Sequence, residues 1–180
     1  TWYGSLSRWS MDGAMIASNT VAGSVVDMAS WRGYRLALSN NGMLRSLDLD
    51  LVVTDSLDLG DGYGYGKLLP MGDRLIAAGG DHLTIIDTAL AIISTVPVDP
   101  EDVFPTDLFQ SFAARDSVVM MTASPSLAGL SAGLVRTIGL DGSHVQHTED
   151  VGISILSMDS VYYHLQNGVV FPKADATVRL

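Results

Sequence analysis

Gly33-Tyr34-Arg35-Leu36-Ala37-Leu38-Ser39-Asn40-Asn41-Gly42-Met43-Leu44-Arg45-Ser46-Leu47 is the stretch on which the reading of this chain turns. An apolar run over Leu36–Leu38 is followed by Asn-Asn-Gly, and a second run follows from Met43. Asn and Gly supply the positive φ that a tight hairpin needs, so the stretch predicts two antiparallel strands and the turn between them. Asp48-Leu49-Asp50 then marks another turn, leading to an outer strand over Leu51–Val53. Upstream, Ser24–Trp31 supplies a strand before the pair.

The same scheme recurs along the chain. Asp73-Arg74-Leu75-Ile76-Ala77-Ala78, Asp116-Ser117-Val118-Val119-Met120-Met121 and Asp159-Ser160-Val161-Tyr162-Tyr163-His164 repeat the pattern of a small turn and an apolar strand. Taking Leu36, Leu75, Val118 and Val161 as equivalent gives spacings of 39, 43 and 43 residues. A repeat of that length is the mark of a stacked or radial architecture. Turns follow at Gly79-Gly80-Asp81 and Gln166-Asn167-Gly168, while Ser124–Gly133 replaces the third turn with a longer Ser/Ala/Gly/Pro loop. Second strands run continuously apolar and fourth strands such as Ser143–Thr148 are polar. Radially stacked four-stranded sheets produce that gradient, because inner strands are covered on both faces.

Over residues 24 to 180 the hairpin spacing and turn chemistry resemble the YVTN, NHL and WD40-like β-propeller repeats. The Gly-His and Trp-Asp dipeptides of true WD40 repeats are absent, so the resemblance implies architecture and transfers no functional residue. The fold expected is all-β: a propeller of four to five blades of about 40 residues, or a segment of a larger one. Its blades fall at 24–63, 64–107 and 108–151, with a partial blade at 152–180. Leu6–Gly13 resembles Val135–Gly142, so residues 1–23 read as the last two strands of a further blade. Those strands either complete the C-terminal blade or belong to a longer array. A sandwich or solenoid also shows many short strands, but neither is expected to repeat at this spacing. Asp107–Ala114, with Leu108, Phe109 and Phe112 on one side, is the one candidate helix and reads equally as an irregular strand.

Composition narrows the function classes. The formal net charge is −10, which argues against nucleic-acid or anionic-membrane partners, since both require Lys and Arg. No apolar run reaches the roughly 18–20 residues of a membrane span. The chain has no Cys, which excludes disulfides, thiolate metal sites and Cys nucleophiles. It begins at Thr1 without an initiator Met, signal region or basic leader, so either a leader has been removed or this is a piece of something longer. With the Asp-rich acidity and the missing Cys, this sets the expectation of a secreted or periplasmic protein.

Candidate site residues follow from strand order. In antiparallel four-stranded sheets the second-to-third turns and the links between sheets lie on one face, the usual ligand face of propellers. The links carry Asp58, Asp61, Asp99, Glu101, Asp102, Asp107, Glu149 and Asp150. Long connections on a rigid scaffold are where binding resides. The ligand-binding set expected is therefore Asp58, Asp61, Tyr63, Tyr65, His82, Asp99, Asp102 and Asp107. Gly62-Tyr63-Gly64-Tyr65-Gly66 offers two rings for stacking on a sugar or peptide, or for packing between blades. Asp58 and Asp61 are the candidate metal ligands, with Ca²⁺ the ion suited to oxygen donors, although the full Asp-x-Asp-x-Asp-Gly pattern is missing. Against this stands the plainer reading of acidic loops as solvated surface. His144 and His147 lie three apart on a strand and point to opposite faces, so they do not share a metal. Ser and Asp are too numerous for spacing to select a catalytic triad.

These readings lead to a non-catalytic module that binds a protein, peptide or carbohydrate through an acidic loop face. Two alternatives stand beside it: a metal-dependent propeller hydrolase of the lactonase kind, and a structural subunit whose open blade edges pair with other chains.

Overall fold

The computed structural model describes residues 3–60, 66–79, 82–98, 109–115, 118–123, 133–149, 155–158, 162–165 and 170–172. Every regular element among them is a β-strand. A two-stranded sheet joins β1 (Tyr3–Trp9) and β2 (Met15–Ala22). The next sheet has the order β3-β4-β5-β6, from Val25–Trp31, Tyr34–Ser39, Met43–Leu47 and Val53–Asp58. Then come β7 (Lys67–Met71), β8 (Arg74–Ala78), β9 (His82–Ile86) and β10 (Ile92–Pro97) in a second four-stranded meander. A third contains β11 (Phe109–Arg115), β12 (Val118–Ala123), β13 (Gly133–Gly139) and β14 (His144–Glu149). The last sheet is three-stranded, with β15 (Ile155–Met158), β16 (Tyr162–Leu165) and β17 (Val170–Pro172). The chain falls into two compact units: residues 1–79 with 84–94, and residues 80–83 with 95–180.

The sequence gradient has a direct structural cause in the first unit. Leu36, Ala37, Leu38 and Ser39 on β4 are all buried, as are Leu75, Ile76, Ala77 and Ala78 on β8. A second strand covered on both faces has no solvent side, so it carries no polar alternation. One face of the β3–β6 sheet sends Leu36, Leu38 and Leu44 into a core with Trp31, Leu59, Leu68, Leu75, Ala77 and Ile86. Its other face meets the β1–β2 hairpin, where Ala37, Leu47 and Leu51 pack on Leu6 and Val21.

The hairpin covers the middle of that sheet. Register places Met28 of β3 beside Ala37 and Ser56 of β6 beside Arg45, both on the hairpin side. Yet Met28 and Ser56 are exposed, while Ala37 and Arg45 between them are buried. Polar ties hold the hairpin down at its far end: Asn19 Nδ2 donates to the Leu51 carbonyl at 2.8 Å, and Arg8 pairs loosely with Asp50 at 3.8 Å. Only Gly23 and Ser24 separate β2 from β3.

One turn geometry recurs four times. In Ser10–Ala14, Asp48–Val52, Asp87–Ala91 and Gly139–Ser143 the first N–H donates to the fifth carbonyl, and the fourth N–H returns to the first carbonyl. The fourth residue always has positive φ: Gly13 at 86°, Leu51 at 63°, Leu90 at 58° and Gly142 at 88°. Asp48 Oδ1 accepts from the N–H groups of Asp50 and Val52, and Asp87 Oδ1 from those of Ala89 and Ala91, all at 2.8–2.9 Å. The likeness between Leu6–Gly13 and Val135–Gly142 thus corresponds to two turns of the same backbone design.

One local expectation is corrected and one open alternative is decided. The outer strand expected over Leu51–Val53 runs instead over Val53–Asp58, because the Asp48-capped turn extends to Val52 and places Leu51 in the left-handed region. Phe109–Arg115 is a strand and not a helix, with a register irregularity between Phe109 and Ser111; Asp107 and Leu108 lie outside the described residues. Pairing along β12 overrides the local helical spacing there.

Candidate functional site at the loop end of the sheets

Each meander has two unlike ends. At one, the first and second strands are joined by two residues, at 32–33, 72–73 and 116–117, and the third and fourth by the capped turns. At the other, called here the loop end, the chain enters, turns between second and third strands, and leaves. In the β3–β6 sheet, register puts Val25, Ser39, Met43 and Asp58 at this end; in the β11–β14 sheet it puts Phe109, Ala123, Leu134 and Glu149 there. Connections at loop ends run to eight residues (59–66), eleven (98–108) and nine (124–132).

Length therefore distinguishes the loop ends, but acid does not. Among the described acids, Asp58 and Glu149 lie at loop ends, while Asp48, Asp50, Asp73, Asp87 and Asp141 lie at the opposite ends. The two groups differ in use. Asp48, Asp87 and Asp141 cap their turns, and Asp73 pairs with Arg32. The acid of the capped turns is explained by local backbone needs.

Of the expected ligand-binding residues, Asp58 and His82 are described, and they fall in different compact units. Asp61, Tyr63, Tyr65, Asp99, Asp102 and Asp107 lie outside the described residues. Asp58 is the exposed last residue of β6 and not part of a free link. Its Oδ1 accepts the Gly60 N–H at 2.9 Å, and the Leu59 N–H donates to the Gly42 carbonyl at 3.0 Å. The departing chain is thereby stapled to the Asn40-Asn41-Gly42 turn. Gly42, at φ 76°, packs so closely on the Gly60 carbonyl that a Cβ has no room there. His82 is half-buried at the start of β9. His144 and His147 both lie on β14. Among the described residues no group of three or more His, Cys, Asp or Glu side chains is arranged to hold a metal ion.

Sequence reasoning passed over Arg45. It lies on β5 beside Ala37, with its side chain on the hairpin side and only 8% of its surface exposed. Its Nη1 donates to Ser39 Oγ at 2.6 Å. No carboxylate among the described residues pairs with it; the ion pairs there are Arg8–Asp50, Arg32–Asp73 and Lys67–Asp27. Burial alone lowers its pKa from the ordinary arginine value. A charged residue inside an otherwise apolar-and-small alternation, Leu44-Arg45-Ser46-Leu47, was the available signal.

Comparison with solved structures bears on the fold. The chain matches the computationally designed Ika4 protein with TM-score 0.55 at 8% identity, over 84% of this chain and 91% of that one. It matches the Neurospora crassa Pan2 WD40 domain with TM-score 0.58 at 12% identity, over 83% and 46%. The fold is propeller-like. A second designed protein, Ika8, matches with TM-score 0.57 at 10% identity, over 90% and 50%. The chain thus spans about half the length of the Pan2 domain and of Ika8. No protein-family model matches the sequence, and no curated protein does. At these identities the propeller-like likeness concerns backbone architecture alone.

Proposed function

We propose that this chain is a non-catalytic, propeller-like binding module that engages a protein, peptide or carbohydrate through the loop ends of its sheets. The observation that carries the reading is the asymmetry of the connections. One end of each meander is closed by tight turns, and the other bears connections of eight, nine and eleven residues. Connections longer than a hairpin requires, held on paired strands, are the usual carriers of recognition. The WD40 neighbour belongs to an architecture used widely for interaction, which favours the same reading. Asp58, Asp61, Tyr63 and Tyr65 form one proposed contact set; Asp99, Asp102 and Asp107 form another, and His82 begins the strand after a short loop-end turn.

The test is an immobilised peptide library graded in lysine and arginine content, probed with the wild-type protein and with D99N/D102N/D107N. Retention that rises with basic content and falls at least about tenfold in the variant supports the module. Retention unchanged by the substitutions overturns the assignment of those acids. Calcium titration in the presence of lactone and ester substrates separates the reading from a metal-dependent hydrolase, which shows calcium-dependent turnover.

A further inference from the structure

Among the described residues Arg45 is a cation without a paired anion. Its surroundings are Ser39, buried at the end of β4, and the inner side of the β1–β2 hairpin. A guanidinium carries five N–H donors and no acceptor. Here one donor direction is answered, by the Ser39 hydroxyl. The rest are not sealed in, because Arg8 Nε is the one buried side-chain polar atom without a partner among the described residues. With 8% of its surface exposed, Arg45 keeps a limited contact with solvent.

Taking a charge out of water is unfavourable unless an opposite charge or a full set of hydrogen bonds replaces the lost solvation. Among the described residues, a single neutral hydroxyl replaces the solvation lost by Arg45. Asp58 is the nearest acid by register, diagonally across from Arg45 on the same face, since Met43 faces Asp58 and Arg45 faces Ser56. It forms no ion pair with Arg45, and its Oδ1 accepts the Gly60 N–H. Arg8, Arg32 and Lys67 each have a carboxylate at hand, and Arg74 is exposed. In a chain of net charge −10, this one residue is left with the opposite need.

We propose that Arg45 and Ser39 form a binding point for a carboxylate group, entering from the loop end of the β3–β6 sheet. The guanidinium fork matches a carboxylate with two parallel N–H···O bonds, a geometry that lysine does not reproduce. The Ser39 hydroxyl, which accepts from Nη1, keeps its own O–H to donate. A small planar anion suits that limited exposure. The ligand takes one of two forms with shared chemistry: a free small carboxylate, or the C-terminal carboxylate of a peptide. This inference is independent of the basic-partner reading above, since it concerns a different residue and the opposite charge.

Thermal unfolding is measured at constant ionic strength in chloride, acetate and a C-terminally free Gly-Gly-Ala peptide, with its amidated form as control. Acetate is expected to raise the Tm of wild type by about 2–4 °C in a saturable way relative to chloride. The free peptide does so more strongly than its amide if the peptide terminus is the ligand, and equally if the free carboxylate is. R45M is expected to lose the response. R45K retains the charge and gives a response weakened at least about fivefold in midpoint. D58N, which removes the nearby acid, strengthens it. If R45M does not fold, S39A serves in its place and shifts the acetate midpoint upward. Equal Tm in chloride and acetate for wild type overturns the proposal, as does an undiminished acetate response in R45M or R45K.

Discussion

Asp27 Oδ2 accepts the backbone N–H of Leu68 at 2.8 Å, tying the first strand of one sheet to the first strand of the next. Its Oδ1 faces Lys67 Nζ at 3.2 Å. Two further ties sit at the other end of the same strands: Trp31 Nε1 donates to the Gly72 carbonyl at 3.0 Å, and Arg32 pairs with Asp73. Neighbouring sheets are thus joined by side chain-to-backbone bonds that bridge roughly one repeat length.

Asp27→Ala is expected to destabilise the fold by about 1–3 kcal/mol, because it leaves the partly buried Leu68 N–H without its acceptor. Asp27→Asn, which retains one oxygen, loses about half as much. Lys67→Met changes little, since the lysine is nearly half exposed and such pairs are weak. Urea denaturation of the three variants checks the ranking; a Lys67→Met loss as large as that of Asp27→Ala contradicts it.

Capped turns predict a second series. Asp48→Ala and Asp87→Ala each remove an acceptor for two backbone N–H groups and are expected to cost about 1 kcal/mol. Leu51 and Leu90 hold the left-handed position that glycine fills at 13 and 142. Leu90→Gly relieves about 1 kcal/mol of backbone strain and stays close to wild type in Tm. Leu51→Gly relieves the same strain but gives up a buried side chain, for a net loss of about 1 kcal/mol or more.

Core substitutions separate covered strands from exposed ones. Leu36→Ala and Leu75→Ala, both at fully buried positions, are expected to lose about 2–5 kcal/mol. Leu49→Ala and Ile93→Ala, at positions more than half exposed, change stability by about 0.5 kcal/mol or less. Calorimetric melting distinguishes the two classes directly.

Acid titration carries a sign. The Ser143 side chain and backbone hydrogen bonds hold the Asp141 carboxyl below the usual aspartate range, and Ser10 does the same for Asp12. A carboxyl depressed in the folded state contributes stability above its unfolded pKa and loses that contribution as pH falls through the folded one. Stability is therefore expected to fall below about pH 4. Asp141→Asn lowers stability at neutral pH and flattens the acid limb; a variant whose limb is as steep as wild type contradicts the assignment.

The sequence by itself determined the all-β class, the hairpins and the unlike character of inner and outer strands. Turn chemistry is local, as Asn40-Asn41-Gly42 and the Asp48 cap illustrate, and a strand buried on both faces must be apolar along its whole length. Outer-strand limits were less legible. Leu51 reads as a strand residue by type, and only the closing bonds between Asp48 and Val52 place it in the turn. Phe109–Arg115 is helical or extended by spacing, and pairing with β12 decides it. Tertiary structure alone decided the surroundings of Asp58 and Arg45. It showed Asp58 capping Gly60 at the end of its strand, and it buried Arg45 between a sheet and a hairpin more than twenty residues away in sequence. Whether a charge has a partner depends on what long-range packing brings beside it, and residue spacing along a strand carries no record of that.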